Sequence, residues 1–168
     1  AAIRVGDPDH LILGNREISV STRVEVFEAA ARHVDVISIN SYDYVEAVEE
    51  ASMALSGGLP RGEAFEPLAE LFDIPVMVSE FGFRAEDSGL PNSWPPIYPN
   101  LATQADRADA YEAYVTTKQA APWIVGLHHF AFVDQPPDGR FDGEDNNWGL
   151  IDDQDQAYDT YVERTAAI

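Results

Sequence analysis

The chain has 168 residues, 45% of them apolar, enough for one domain with a real core. It carries 30 acidic residues against 10 basic ones, a net charge of −20, and this repels nucleic acid and anionic membranes as partners. There is no cysteine, so disulfides and thiolate metal sites are excluded and the redox compartment stays open.

In chain order, "HLILG" (10–14) reads as the first buried strand. "STRVEVFEAAARHV" (21–34) reads as a helix with Val24, Phe27, Ala31 and Val34 on one stripe and Ser21 or Thr22 as its cap. "DVISIN" (35–40) is the second strand. "GEAFEPLAELFD" (62–73) spaces Phe65, Leu68, Ala69 and Phe72 at three and four, and "IPVMVSEF" (74–81) is the third strand. A long connection, 82–102, precedes the Ala-rich helix at 103–121, where Thr103 caps and Tyr111, Tyr114 and Val115 face the core. "WIVGLHHFAF" (123–132) is the fourth strand. A second long connection, 133–154, leads to a helix at 155–167 carrying Tyr158, Tyr161 and Val162. The strand cores are nearly continuous apolar runs, as in parallel strands covered on both faces. The expectation is an α/β fold: four βα units with parallel strands and right-handed crossovers, forming a single unit over 1–168.

No segment approaches the roughly 18 to 20 apolar residues of a membrane span. "AAIRVGDPDH" has no basic-then-apolar export pattern, and the compartment is unassigned. Nine of the ten bases are Arg, with Lys118 the only lysine. The acidic excess suits an ordinary soluble surface or adaptation to high salt, where self-repulsion is screened.

Both long connections follow strand C-termini, where α/β folds place their sites. Glu80 ends the third strand. Its plain reading is an ion pair with Arg84 or Arg16. Its company suggests more. Asn15 and Arg16 follow the first strand, Asn40, Ser41 and Tyr42 end the second, and His128, His129 and Asp134 end the fourth. Parallel strands bring these ends to one rim. A carboxylate among polar, aromatic and cationic groups is a candidate nucleophile for acetal chemistry. In the 82–102 loop, proline can simply stiffen a solvent loop, but Trp94 and Tyr98 also have the apolar body and polar tip that stack on sugar faces.

Other chemistries lack their patterns. Gly57-Gly58 is not a phosphate loop, and no G-x-S-x-G elbow is present. His128 and His129 are adjacent on a strand, so one faces the rim and the other the helix layer. Asp9, His10, Asp134, Asp142, Glu144 and Asp145 are candidate hard-cation ligands, and "DGRFDGEDNNWG" (138–149) has the look of a calcium loop without the EF-hand spacing. No metal and no cofactor is assigned.

These residues resemble a family. "PVMVSEFGF" (75–83) is similar to the seventh strand of retaining glycoside hydrolases of the large (β/α)8 clan that includes cellulases, β-galactosidases and agarases. "GLHHFAFVDQPPDGRFDGEDNNWGLID" (126–152) resembles the eighth strand and following loop of agarase-like members, with their G-x-x-W-F-x-x-x-D-x-P pattern. "HLILGNR" and "DVISINSYDY" are similar to the fifth and sixth strands. The resemblance implies the second half of a TIM barrel, a (βα)4 half-barrel over 1–168. It implies Glu80 as the nucleophile, with Tyr42 hydrogen-bonding or orienting it. Arg16, Asn40, His128, His129 and Asp134 then line a sugar site, with Trp94 and Tyr98 stacking on sugar rings. The implied partner is an oligo- or polysaccharide.

The departures are specific. A full barrel runs to roughly 250 residues or more, so four units would lack their first half. The clan's acid/base, a glutamate after an asparagine, belongs to that half, and no Asn-Glu pair occurs here. His129 stands where the family has Trp. A retaining glycosidase needs two carboxyl groups about 5 to 5.5 Å apart. Asp43, Glu86, Asp134 or Glu144 are possible substitutes, and spacing selects none of them. An open half-barrel also leaves strand edges and an apolar face, so a second copy or the missing half is expected to cover them. Two alternatives remain: a non-catalytic half-barrel that self-associates and at most binds carbohydrate, and an unrelated small α/β protein with a structural glutamate.

Overall fold

The computed structural model describes residues 2–18, 22–42, 69, 72–96 and 98–168. Among these, helix α1 covers Ala2–Gly6, strand β1 Arg16–Ile18, α2 Val24–Ala31 and β2 Ile37–Asn40. Then come β3 (Val76–Phe81), β4 (Arg84–Ala85), a 3-10 turn at Glu86–Ser88 and β5 (Asn100–Leu101). Helix α3 (Gln104–Gln119), β6 (Ile124–His129) and α4 (Asp159–Thr165) complete the series. A four-stranded sheet has the order β1-β2-β3-β6, and β1–β2 and β2–β3 pair in parallel. Strands β4 and β5 form a separate parallel pair inside the 82–102 connection, which the sequence pattern did not reveal.

The chain divides into two compact units, Ala1–Glu80 with Ala121–His128, and Phe81–Ala120 with His129–Ile168. In the first, Phe27, Ile37, Ile39, Ala69, Ile74 and Val76 form the core, with Ala31, Val34, Phe72 and Trp123 packed against it. The expected α2 stripe therefore reaches the core through Phe27, Ala31 and Val34. Burying Phe27 alone contributes about 2 to 3 kcal/mol. The expected cap does not form. Arg23 is the N-cap with no side-chain bond, and the Thr22 hydroxyl donates instead to Glu17 at 3.4 Å. Ser21 and most of the helix expected at 62–73 lie outside the described residues.

The first strand is a correction. Residues 10–14 form no strand, and the partner of β2 is Arg16–Ile18. Leu11 is 71% exposed and Leu13 40%. The Ile12 amide donates to Asp35 Oδ2 at 2.8 Å, and the Asp35 amide donates to the Ile12 carbonyl at 2.7 Å. These bonds take up Ile12's backbone groups ahead of the ladder. Arg4 donates to the other Asp35 oxygen at 2.7 Å; that bond, then the Ile12 amide, holds the carboxyl below its ordinary range. Gly14 then turns the chain at φ +68°.

In the second unit, Thr103 caps α3 as expected, in a reciprocal capping box with Asp106. Tyr114, Val115 and Ala108 of α3 are buried, and α3 packs on α4 through buried Tyr161. Arg107 is fully buried, with its guanidinium 3.9 Å from the Tyr161 ring centre and its Nε donating to the Phe83 carbonyl at 2.7 Å. No helix among the described residues is long and apolar enough to cross a membrane.

Candidate active site

The geometry around Glu80 begins with an irregularity in the sheet. Pairing between β2 and β3 runs Ile37 with Val76, Ser38 with Met77 and Ile39 with Val78, then slips so that Asn40 faces Glu80. Ser79 is the extra residue of a bulge, a device that re-aims side chains at strand ends. Both Ser79 and Glu80 therefore reach Asn40. The Ser79 hydroxyl donates to Asn40 Oδ1 at 3.0 Å, which fixes the amide so that its Nδ2 donates to Glu80 Oε2 at 2.9 Å. The Tyr42 hydroxyl donates to Glu80 Oε1 at 2.6 Å, and Arg16 Nη1 donates to Oε2 at 3.3 Å.

Four expected site residues, Arg16, Asn40, Tyr42 and Glu80, thus meet in the first unit. The Glu80 side chain keeps 16% exposure, so the carboxylate is held on both oxygens yet reachable. Charge-assisted bonds of this kind fix a rotamer. The plain ion-pair reading is half right. Arg16 does pair with Glu80, but Arg16 is 60% exposed and such a pair contributes little to stability. Arg84 is committed elsewhere.

His128 is exposed at the end of β6. His129 turns the other way, the split expected of neighbours on a strand. Its ring lies 5.8 Å from Phe81, 5.7 Å from Tyr111 and 5.9 Å from Tyr161 between centres, and Nε2 shares a 3.1 Å hydrogen bond with the Tyr161 hydroxyl. Burial, helped by the Arg107 charge, lowers its pKa to about 3. His129 is therefore a neutral, partly buried histidine packed among aromatic rings.

Asp134 is also turned inward. It is 7% exposed and accepts from the Gly149 amide (2.6 Å), the Tyr158 hydroxyl (2.6 Å) and Asn147 Nδ2 (2.9 Å). Burial raises its carboxyl above the ordinary range even against those bonds. Its role is to fasten its own loop. Tyr98 is half-buried, edge-on to Trp148 at 5.8 Å, while Trp94 is 51% exposed.

The connections 82–102 and 133–154 are stitched together by Arg84, which the sequence offered only as an ion-pair partner for Glu80, and by polar residues that it did not single out. Arg84, 2% exposed, donates to Asn146 Oδ1 and to the Pro95 carbonyl, and lies 5.9 Å from the Tyr98 ring centre and 5.8 Å from that of Trp148. Asn147 has no exposure; it accepts from Gln104 Nε2 at 2.9 Å, and its amide donates to Asn92 Oδ1 at 2.7 Å. The signal was the Asn-Asn pair ahead of Trp148, since two consecutive amides can both donate and accept. Among the candidate cation ligands, Asp142 is paired with Arg140, and Glu144 accepts from Gln135. Among the described residues no group of three His, Asp or Glu converges to hold a metal ion.

No family model matches the chain. Two curated relatives from Vibrio sp. (strain JT0107) do. Beta-agarase A is 35% identical over 159 residues, 94% of this chain, and beta-agarase B is 34% identical over 157 residues, 93% of this chain. The chain spans only 15% of the length of either. A solved exo-beta-agarase superposes with a TM-score of 0.78 at 34% identity, covering 99% of this chain and 20% of that one. Another agarase structure gives 0.79 at 32%, covering 98% and 21%. A β-D-glucuronidase from Dictyoglomus thermophilum shares the fold alone, at a TM-score of 0.62 and 20% identity. Along almost its full length, this chain is an agarase-like, glycoside-hydrolase-like α/β sequence that matches one segment of much longer β-agarases.

Proposed function

We propose that this chain supplies the nucleophile side of a retaining glycoside hydrolase site, acting on O-glycosidic bonds of an agar-type polysaccharide. Glu80 is the nucleophile, Tyr42 orients it, and Asn40 and Arg16 hold its second oxygen and face the sugar. The observation that carries this reading is the strand-end carboxylate of Glu80, held by Tyr42, Asn40 and Arg16 while still partly exposed. The agarase names of the relatives supply the polysaccharide.

In the reaction, a Glu80 oxygen attacks the anomeric carbon while the glycosidic oxygen leaves with a proton from an acid. A glycosyl ester on Glu80 forms, and water then cleaves it with retention of configuration. The bulge at Ser79 and the Tyr42 bond keep the attacking carboxylate in one orientation, so little freedom is lost on the way to attack. In this reading residues 1–168 act as a (βα)4 half-barrel. On the same reading the acid comes from a preceding half-barrel or a partner copy, and the candidates among the described residues have other positions. Asp134 and Glu144 are bonded within their own loop, Glu86 sits on the 3-10 turn, and Asp43 is outside the described residues.

The test separates attack from acid assistance. Wild type and Glu80→Gln are incubated with a fluorinated galactoside whose dinitrophenolate group leaves without a proton, and peptides are mapped by mass spectrometry. An adduct on the Glu80 peptide, missing from the variant, is expected. A label elsewhere, or none, removes the nucleophile assignment. Reducing-sugar release from agar then reports whether an acid is supplied. A second reading, a self-associating half-barrel that binds carbohydrate without turnover, is favoured by the lack of an Asn-Glu pair. It expects binding with no release.

A further inference from the structure

A bulge needs an extra residue, and nothing in that requirement calls for a hydroxyl. The extra residue here is Ser79, 5% exposed, and its hydroxyl reaches across to the neighbouring strand. In a regular strand residues 79 and 80 point to opposite faces, and only one of them could meet Asn40. The register slip lets both meet it, at opposite ends of one amide. The Glu80 carboxylate only accepts, so it takes the Nδ2 end, at 2.9 Å. Oδ1 then needs a donor, and the Ser79 hydroxyl supplies one at 3.0 Å. Beyond the bulge the ladder resumes, with the Ser41 amide donating to the Glu80 carbonyl at 2.8 Å. The Glu80 backbone is thus fixed, and its rotamer is set by the groups at its two oxygens. Oε1 has the Tyr42 hydroxyl. Oε2 has Asn40 and, at 3.3 Å, Arg16, whose side chain is 60% exposed. Arg16 is long and rotamer-rich, whereas Asn40 is short and tied at its far end.

We propose that Ser79 is a positioning residue for the Glu80 carboxylate: its hydroxyl tethers the Asn40 amide, and the tethered amide holds Oε2. This rests on the nucleophile reading above and adds what keeps that nucleophile aimed through both steps. When Glu80 becomes a glycosyl ester its charge is gone, and its hold on Asn40 and Arg16 weakens. The bond from Ser79 to Asn40 involves neither that charge nor a reacting atom. Asn40 therefore stays in place for the attack of water, and the carboxylate is released into the orientation it started from. In this role Ser79 touches no substrate and works through Asn40.

The experiment uses the full chain as wild type, Ser79→Ala, Ser79→Thr, Asn40→Ala, Glu80→Gln and the double variant Ser79→Ala with Asn40→Ala. One readout is the maximal rate of Glu80 labelling by the fluorinated dinitrophenyl galactoside, with the reagent concentration that half-saturates it. The other is the side-chain amide signal of Asn40 in a proton–nitrogen correlation spectrum, identified by its loss in Asn40→Ala. Ser79→Ala is expected to slow maximal labelling by about fivefold to tenfold at unchanged half-saturation, as one lost hydrogen bond supplies. Ser79→Thr keeps the hydroxyl and should label near the wild-type rate. Once Asn40 is alanine, Ser79→Ala should slow labelling no further, because the two act as one unit. The Asn40 amide signal should move in Ser79→Ala and in Glu80→Gln. The positioning role is overturned by wild-type labelling in Ser79→Ala, by a Ser79→Ala effect that persists undiminished without Asn40, or by an Asn40 signal that Ser79→Ala leaves in place. A wild type that forms no Glu80 adduct, but whose Asn40 signal moves in both variants, fells only the nucleophile reading. A labelled wild type matched by Ser79→Ala fells only the positioning role.

Discussion

His129 and Glu80 both stand at strand ends, and the groups around each ring or carboxylate set what it does. Glu80 meets three donors and solvent, and His129 meets Phe81, Tyr111 and Tyr161. The lowered pKa of His129, about 3, carries a stability consequence. Unfolding restores its ordinary affinity for a proton, so between about pH 6.5 and 3 the unfolded chain binds a proton that the folded chain refuses. Stability is therefore lost as pH falls through that window, at about 1.4 kcal/mol per pH unit from this group. His129→Phe should cost stability at neutral pH, since the Tyr161 hydroxyl loses its partner, but it should remove that slope. Urea unfolding at several pH values checks it. The wild-type minus variant difference should rise between about pH 4 and 6.5 and level off above, and a difference that stays flat would refute the assignment.

At the scale of elements, the end of β3 explains why the Glu-Phe motif is followed by glycine. Phe81 is fully buried, stacked on Tyr114 at 4.7 Å, and its carbonyl accepts from the Phe130 amide at 2.7 Å. That bond brings the Phe130 backbone close to residue 82. A Cβ on Gly82 would lie 2.3 Å from the Phe130 carbonyl oxygen and 3.1 Å from the Trp148 ring. Both neighbours are fixed, so Gly82→Ala should destabilise by about 2 kcal/mol or more, in the range of overpacked sites. Thermal unfolding reads this directly, and a melting temperature equal to wild type would mean the strand end is looser than its contacts imply. The two helix starts make a contrast. Thr103 with Asp106 three residues on is a local signature, and it caps α3. Thr22 also has an acid three residues on, Glu25, but Glu25 pairs with Arg23 at 3.5 Å, the Thr22 hydroxyl turns to Glu17, and α2 begins without a side-chain cap.

At the scale of the whole molecule, the net charge of −20 is carried with ion pairs that sit mostly on the surface, such as Arg32 with Glu28 and Arg164 with Asp109 and Glu112. Such pairs are worth roughly 0 to 1 kcal/mol each and do not offset the self-repulsion of the remaining acids. Raising salt to about 1 M shortens the screening length to about 3 Å and relieves that repulsion. The melting temperature should therefore climb by several degrees from low salt to about 1 M sodium chloride, with most of the gain reached by the first few tenths molar. A fall in melting temperature over the same range would mean that the surface ion pairs outweigh the repulsion.

Apolar periodicity was enough to place β2, β3, β6 and the helices at 24–31, 104–119 and 159–165 within a few residues, because those signals are local. It also brought Glu80, Asn40 and Tyr42 together, since parallel strands bring their C-terminal ends to the same edge; Arg16, expected with them as the end of a first strand, joins them from the start of β1. What lay beyond it depends on partners far apart in the chain. The β1 position followed from Asp35 capturing Ile12, 23 residues away. The Ser79 bulge depends on the register between two strands. The inward turn of His129 and Asp134 depends on Tyr161 and Tyr158, 32 and 24 residues on. The buried Arg84, Asn146 and Asn147 read as loop residues because their burial is made by a connection some 60 residues distant. Sequence pattern names the residue types that a site can use. Only the tertiary structure decides which of them face solvent, because desolvation and hydrogen-bond satisfaction are settled by neighbours that local sequence does not contain.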